Sequence, residues 1–101
     1  MKPVRFDPFA RSEFLEAIQH YEEAQKGLGR EFRSEIENAI QVIRRSPRAF
    51  GSVANVAGVR RLNVKRFPYY LPYLELADRI QILAVAHSKR QPGYWSGRVE
   101  G

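Results

Sequence analysis

The chain has 101 residues, of which 44% are hydrophobic and 28% are charged, with no cysteine and a formal net charge of +6 at pH 7. This length suits one domain with one core and is too short for two domains. The lack of cysteine excludes disulfide bonds, thiolate metal sites and cysteine nucleophiles. No segment has the apolar stretch of a signal peptide or a membrane span, so we expect a soluble cytoplasmic protein with no membrane partner.

The positive charge is concentrated in the second half of the chain. Residues 1–50 hold nine lysines and arginines against eight acidic residues, whereas residues 51–101 hold eight against three. A basic surface attracts nucleic acid phosphates or acidic protein segments, and in many small domains it serves solubility alone. Charge by itself therefore leaves the partner open.

The first half of the chain predicts a short strand and then a helical hairpin over about residues 8–46. The strand candidate is residues 3–6, and Asp7-Pro8 then supplies an N-cap and a proline at the first helical position. Apolar residues recur at helical spacing in two segments joined by a short glycine-containing link, which indicates two antiparallel helices. Ser46-Pro47 ends the second helix.

One histidine, His20, lies on the first predicted helix. Only Glu16 and Glu23 have the helical spacing to share a metal ion with it, and they form a weak ligand set. We interpret His20 as a partly exposed helix residue and the glutamates of this helix, including Glu13, as solvated surface. No metal site and no cofactor is predicted.

The second half of the chain predicts a three-stranded antiparallel meander over about residues 59–87. Side chains alternate along the first strand, which places Arg61 and Lys65 together on a basic face. Turn signals separate this strand from two further strands, and the middle one contains Pro72. Because proline cannot donate a ladder hydrogen bond, we expect an interruption of the pairing there.

The helical hairpin has apolar stripes of the right length to cover one face of this sheet. We therefore predict a single two-layer α+β domain of residues 1–101, with a basic aromatic tail at residues 88–101. The uncovered face would display Arg61, Lys65 and Tyr70, with the tail beside them. Such a surface suits phosphates and bases, or an acidic peptide.

The order of these elements and a series of short motifs resemble the RelE/ParE superfamily of toxins from bacterial type II toxin–antitoxin systems. The motifs cover most of the chain in order: Pro-x-x-Phe at 47–50, GVRR at 58–61, RFPY at 66–69, ILAVAH at 82–87 and RQPGYW at 90–95. The resemblance implies a four-stranded toxin fold, a small antitoxin encoded beside it and a bacterial cytoplasmic setting. It also implies roles in plasmid stabilization and growth inhibition.

Members of this superfamily divide by target. ParE-like members poison DNA gyrase and have no hydrolytic site, whereas RelE-like members cut mRNA on the ribosome without a metal ion. RelE-like nucleases carry an arginine between a tyrosine and a leucine in the middle strand, where this chain has Tyr70. Because that cation is missing, the resemblance favours a ParE-like gyrase inhibitor, neutralised by its antitoxin and not an enzyme.

The alternative is a RelE-like, ribosome-dependent mRNA endonuclease. RNA cleavage needs a base for the ribose 2′-OH, cations for the phosphorane-like transition state and an acid for the leaving oxygen. Arg61, Lys65 and Arg66 would supply the cations, and His87 or Tyr94 the acid or base. A histidine at the end of a buried strand, such as His87, is more often a hydrogen-bonded structural residue. A second alternative is an inactive relative that only binds its antitoxin.

Under the favoured interpretation the target-binding residues are basic and aromatic residues of the sheet and tail. They are Arg60, Arg61, Lys65, Arg66, Tyr70, Lys89, Arg90, Tyr94, Trp95 and Arg98. Tyr94 and Trp95 suit either a packed aromatic cap on the sheet or a stacking platform. The expected partners are an antitoxin and gyrase, or the ribosome and mRNA under the alternative, with no small-molecule substrate.

Overall fold

A short strand and two helices precede the sheet in the chain. The computed structural model describes residues 1–100. Its elements are β1 (Val4–Phe6), α1 (Pro8–Ala24), α2 (Leu28–Arg45), β2 (Val59–Asn63), β3 (Tyr69–Glu75), β4 (Ile80–Ile82), β5 (Ala86–His87) and a 3-10 helix (Ser96–Glu100). The predicted α+β class, a helical hairpin followed by antiparallel strands, is confirmed. None of the helices in residues 1–100 has the length and apolar character needed to cross a membrane.

Helix α1 begins where the sequence predicts a helix start. The Asp7 side chain accepts a hydrogen bond of 2.8 Å from the backbone N–H of Phe9, and Pro8 occupies the first turn. Phe14 and Ile18, one helical turn apart, pack against the core beneath the helix. Local capping and apolar spacing thus place α1 on the sheet.

Glu22 joins the two helices. Its carboxylate accepts hydrogen bonds from the backbone N–H groups of Gly27 at 2.9 Å and Gly29 at 3.1 Å, at the N-terminus of α2. The free N–H groups of a helix N-terminus favour a carboxylate there. A Cβ atom at position 29 would lie 2.5 Å from the Ile18 carbonyl oxygen, so only glycine lets the helices approach this closely.

We expect part of the acid sensitivity of the fold to come from Glu22. The hydrogen bond from Gly27 holds the pKa of this carboxyl below its ordinary value of 4.5. Because the folded-state pKa is the lower one, the stabilisation is present above the unfolded-state pKa and is lost as the pH falls through the folded-state value. Urea unfolding at about pH 7 and about pH 3 should show a smaller loss of stability for Glu22→Gln than for the native chain.

Glu23→Gln is the matched control, because it makes the same change at the next, exposed position. This variant should keep the full acid sensitivity of the native chain. Equal acid sensitivity in the two variants would contradict the role assigned to Glu22.

The strands are ordered β1-β4-β3-β2 across the sheet, and β5 pairs with the start of β3. Strand β1 runs parallel to β4, from Val4 opposite Ile80 to Phe6 opposite Ile82, and all other strand pairs are antiparallel. The partner of the first strand, which the sequence leaves open, is therefore β4.

Pro72 interrupts the ladder on one side of β3, as predicted. Tyr73 of β3 pairs with Ile82, and Tyr70 pairs with Ala86. Between these two pairs β3 has two residues and the facing segment has three, so β4 and β5 are separate strands. The Pro72 carbonyl accepts a hydrogen bond of 2.9 Å from the Leu83 N–H, and the proline nitrogen faces the same side without a hydrogen to donate.

Apolar side chains cover both faces of the sheet. The helices pack on one face, and a second buried cluster lies on the other: Val59, Tyr70, Leu83, Ala84, Ala86 and Trp95. Residues 92–99, called the C-terminal segment below, cover this second face through Trp95, which is 1% exposed, and Val99. The prediction of an uncovered second face is wrong at its centre, because its own apolar side chains require burial. The last residue of the predicted tail, Gly101, lies outside the described residues.

Candidate binding surface

A carboxylate on α1 holds the C-terminal segment against the sheet. The two oxygens of Glu13 each accept a hydrogen bond of 3.0 Å from the Arg98 guanidinium, and Oε2 also accepts from the Tyr94 hydroxyl at 2.8 Å and from Arg90 at 3.4 Å. The Val85 backbone N–H donates to Oε1 at 3.1 Å. Glu13, Arg90, Tyr94 and Arg98 are called the Glu13 cluster below. The Glu13 and Arg98 side chains are 15% and 16% exposed, so this bidentate pair lies mostly out of water.

The Glu13 carboxylate contacts three predicted site residues and affects them in two ways. Burial, and then the hydrogen bond to Glu13, raise the pKa of Tyr94, so its hydroxyl stays protonated at neutral pH. The Glu13 carboxylate partly compensates the charges of Arg90 and Arg98. The interpretation of Glu13 as solvated surface is wrong, because its carboxylate binds groups within the fold. The sequence does not reveal these partners, because they lie 72 to 85 residues further along the chain.

Both histidines of the chain line one pocket of about 220 Å³, called the histidine pocket below. His20 lies on α1, and His87 ends β5. The Nδ1 atom of His87 accepts a hydrogen bond of 3.0 Å from the Lys89 backbone N–H, which leaves the proton of the neutral ring on Nε2. Its ring meets that of Tyr69 edge-on, with centroids 5.0 Å apart. One nitrogen of His87 is therefore engaged by its own chain. No sequence signal connects the two histidines, because they lie in different halves of the chain.

Among the side chains that the structure describes, no group of three or more histidine, cysteine, aspartate or glutamate residues is arranged to hold a metal ion. In the pocket, burial followed by contact with Tyr21 raises the pKa of Tyr69 to about 12. The Tyr69 hydroxyl is therefore protonated at neutral pH and is not a base there.

Two other predicted site residues, Arg66 and Arg60, bind other residues of the same chain. Arg66, in a left-handed backbone conformation with φ +71°, forms ion pairs with Glu31 and Glu35 of α2. Arg60 donates a hydrogen bond of 2.7 Å to the Phe50 carbonyl oxygen. These guanidinium groups attach the turn after β2 and the loop before it to the rest of the domain.

Arg61 is exposed on the second face of the sheet. Its guanidinium stacks on the Tyr70 ring, with Cζ 3.7 Å from the ring centroid, and donates a hydrogen bond of 2.9 Å to the Asn63 side-chain oxygen. Tyr70 is buried beneath it, and its hydroxyl accepts a hydrogen bond of 3.1 Å from the Trp95 indole N–H. Trp95 is thus a packed cap on the sheet. Arg61 lines a cleft of about 510 Å³ between residues 52–56 and the C-terminal segment.

Lys65 lies beyond the end of β2 and lines a different depression. This depression, called the α2 groove, has a volume of about 380 Å³. Its lining is Ala39, Val42, Phe50 and Leu62, with the polar residues Glu35, Asn38, Asn63 and Lys65. The structure does not bring Lys65 beside Arg61, because the strand alternation on which that expectation rests ends at Asn63.

The structure therefore separates the predicted site residues into groups. Arg90, Tyr94 and Arg98 belong to the Glu13 cluster, and Arg90 also lines the histidine pocket with His87. Arg61 lies over Tyr70 and Trp95, Lys65 lines the α2 groove, and Lys89 is exposed after β5. The four residues that the nuclease alternative requires line different depressions or, in the case of Tyr94, bind Glu13.

Comparisons with known proteins agree with this architecture. A family model described as the ParE toxin of the type II toxin–antitoxin system parDE matches residues 4–92. A chain of the chromosomal ParDE TA system from P. aeruginosa superimposes with a TM-score of 0.66 at 18% sequence identity, covering 88% of this chain and 98% of that one. At this low identity, the superposition shows that the two chains share a fold. No curated protein sequence matches the chain. Because the family match spans most of its length, the chain belongs to the ParE family of toxins from type II toxin–antitoxin systems.

Proposed function

We propose that this chain inhibits DNA gyrase without hydrolysing a bond, and that a cognate antitoxin neutralises it. The observation that carries the proposal is the match of residues 4–92 to ParE toxins. Within the superfamily that the sequence resembles, gyrase is the target of ParE-like members, and the antitoxin is the partner that keeps the toxin inactive in the resting cell.

Three exposed cations support contact with a large anionic partner. Arg61, Lys65 and Lys89 are exposed and form no ion pair with the side chains of residues 1–99. Arg66 and Arg98, by contrast, have carboxylate partners within the fold. Cations without an internal partner keep their full attraction for the complex of gyrase with DNA.

The α2 groove suits a segment of the antitoxin. Four apolar side chains line it together with two charged residues: Glu35, which pairs with Arg66, and Lys65, which forms no ion pair with the side chains of residues 1–99. An antitoxin segment that is disordered alone would bury apolar side chains in the groove as it folds, and would place an acidic side chain against Lys65.

The geometry also favours inhibition over catalysis. Tyr70 stands where RelE-like nucleases carry an arginine, and it lies buried beneath Arg61. The Tyr94 hydroxyl donates to Glu13, and Tyr94 is not among the residues that line the pocket of His87, although Glu13 is. An acid–base pair for RNA cleavage would need both groups at one phosphate.

Induction of the chain in a bacterial host tests the target. We expect double-strand DNA breaks with intact mRNA, and purified gyrase incubated with the chain should accumulate cleaved plasmid. Cleavage of mRNA at translating ribosomes with intact DNA would overturn the proposal. Intact DNA together with intact mRNA would overturn it as well, and would identify a relative that only binds antitoxin.

The same cells test the antitoxin. Co-expression of the short reading frame beside the gene should restore growth, and Lys65→Glu should bind that antitoxin about tenfold more weakly than the native chain. Lys26→Glu makes the same charge reversal at an exposed residue between the helices and should bind normally. Equal binding by the two variants would place the antitoxin outside the α2 groove.

A further inference from the structure

A cleft lies between the loop at residues 52–57 and the C-terminal segment. Two depressions of about 510 and 470 Å³ adjoin here, since Asn55, Val56 and Ser96 line both of them. We call the two together the C-terminal cleft. Each depression has the volume of a small-molecule site, which is sufficient for one nucleotide.

The charge of the C-terminal cleft favours an anion. The described side chains that line it include no aspartate or glutamate, and Arg61 is the charged group among them. The histidine pocket, in contrast, contains Glu13 and Glu16, and the α2 groove contains Glu35. A negative ligand therefore meets attraction and no described carboxylate in the C-terminal cleft.

The geometry of Arg61 favours a planar ligand. One face of its guanidinium lies on the Tyr70 ring at 3.7 Å, and the hydrogen bond to Asn63 fixes the plane further. Trp95 holds Tyr70 in place from below. Arg61 is nevertheless exposed, so the other face of its guanidinium is available for stacking. Guanidinium planes are among the platforms on which unpaired nucleic acid bases stack.

We propose that the C-terminal cleft binds single-stranded nucleic acid, with one unpaired base stacked on Arg61. The remaining guanidinium N–H groups would bind the adjacent phosphate, and Asn55 and Ser96 offer hydrogen bonds to the base edge. An acidic peptide would use the charge of Arg61 but not its prepared stacking face, so nucleic acid is the better match. The proposal does not depend on gyrase, because it concerns the chain alone.

Fluorescence anisotropy with a labelled single strand of about eight nucleotides and the purified full chain tests the proposal. Arg61→Lys keeps the charge but removes the planar group, so we expect it to weaken binding about tenfold, as for the loss of one stacked base. Arg5→Lys is the matched control, because it makes the same change at an exposed arginine on β1 and should bind like the native chain.

An abasic strand of equal length separates base stacking from charge. The native chain should bind it about tenfold more weakly than the normal strand, and Arg61→Lys should not weaken that binding further. Amide NMR shifts on adding the normal strand should map to Asn55, Gly93 and Ser96. The proposal would be overturned by an unchanged affinity of Arg61→Lys for the normal strand. It would also be overturned if the native chain bound the abasic strand or a glutamate octapeptide as tightly as the normal strand, or if the NMR shifts were confined to the α2 groove. Because no gyrase is present, such failure is distinguishable from failure of the gyrase proposal.

Discussion

Replacing Glu13 with glutamine is expected to lower the free energy of unfolding by about 2–3 kcal/mol, or the Tm by roughly 10–20 °C for a domain of this size. The substitution leaves Arg98, which is 16% exposed, without its bidentate carboxylate. Breaking a fully buried ion pair costs about 3–5 kcal/mol. We expect less here, because glutamine keeps one acceptor oxygen and both side chains retain some contact with water.

Urea unfolding followed by circular dichroism measures the effect, with Glu16→Gln as the matched control. Glu16 lies on the same helix and loses the same charge, but it is exposed, so its substitution should change stability by less than about 0.5 kcal/mol. A double-mutant cycle with Arg98→Gln should show coupling of more than about 1 kcal/mol with Glu13. If the two glutamate substitutions cost the same, the Glu13 cluster does not hold the C-terminal segment.

Local signals account for the elements that the sequence predicts correctly. The Asp7-Pro8 pair starts α1 through one side-chain hydrogen bond and a missing N–H, both of which are properties of neighbouring residues. The interruption at Pro72 likewise follows from one residue that cannot donate. Such features need no knowledge of which distant segments meet.

Features that depend on which distant segments meet could not be predicted from the sequence. Strand β1 has three residues, too few for a pattern that would identify β4 as its parallel partner. Glu13 carries the same signal as the solvated glutamates on its helix, and only the path of the C-terminal segment distinguishes it. The residue types of the candidate site are thus predictable from the sequence. The ion pair with Glu13 that buries most of Arg98, and the exposure of Arg61, are not.

The C-terminal segment has a structural role that a free basic tail would lack, and Trp95→Ala is expected to reveal it. This substitution should cost about 3–5 kcal/mol, as truncation of a buried aromatic residue does. Trp95 is 1% exposed, contacts the apolar cluster around Tyr70 and Leu83, and donates its indole N–H to the Tyr70 hydroxyl. Since small domains have about 5–15 kcal/mol of stability in total, a large share would be lost.

Urea unfolding followed by far-UV circular dichroism measures this change, and Phe9→Ala is the matched control. Phe9 is also aromatic but is 67% exposed, so its truncation removes little buried surface and should cost less than about 1 kcal/mol. Trp95→Phe should give an intermediate loss, because it keeps a ring in the cluster but removes the donor to Tyr70. A Trp95→Ala variant as stable as Phe9→Ala would show that the second face of the sheet does not need this cover, and that the stacking surface under Arg61 is not held in place by the C-terminal segment.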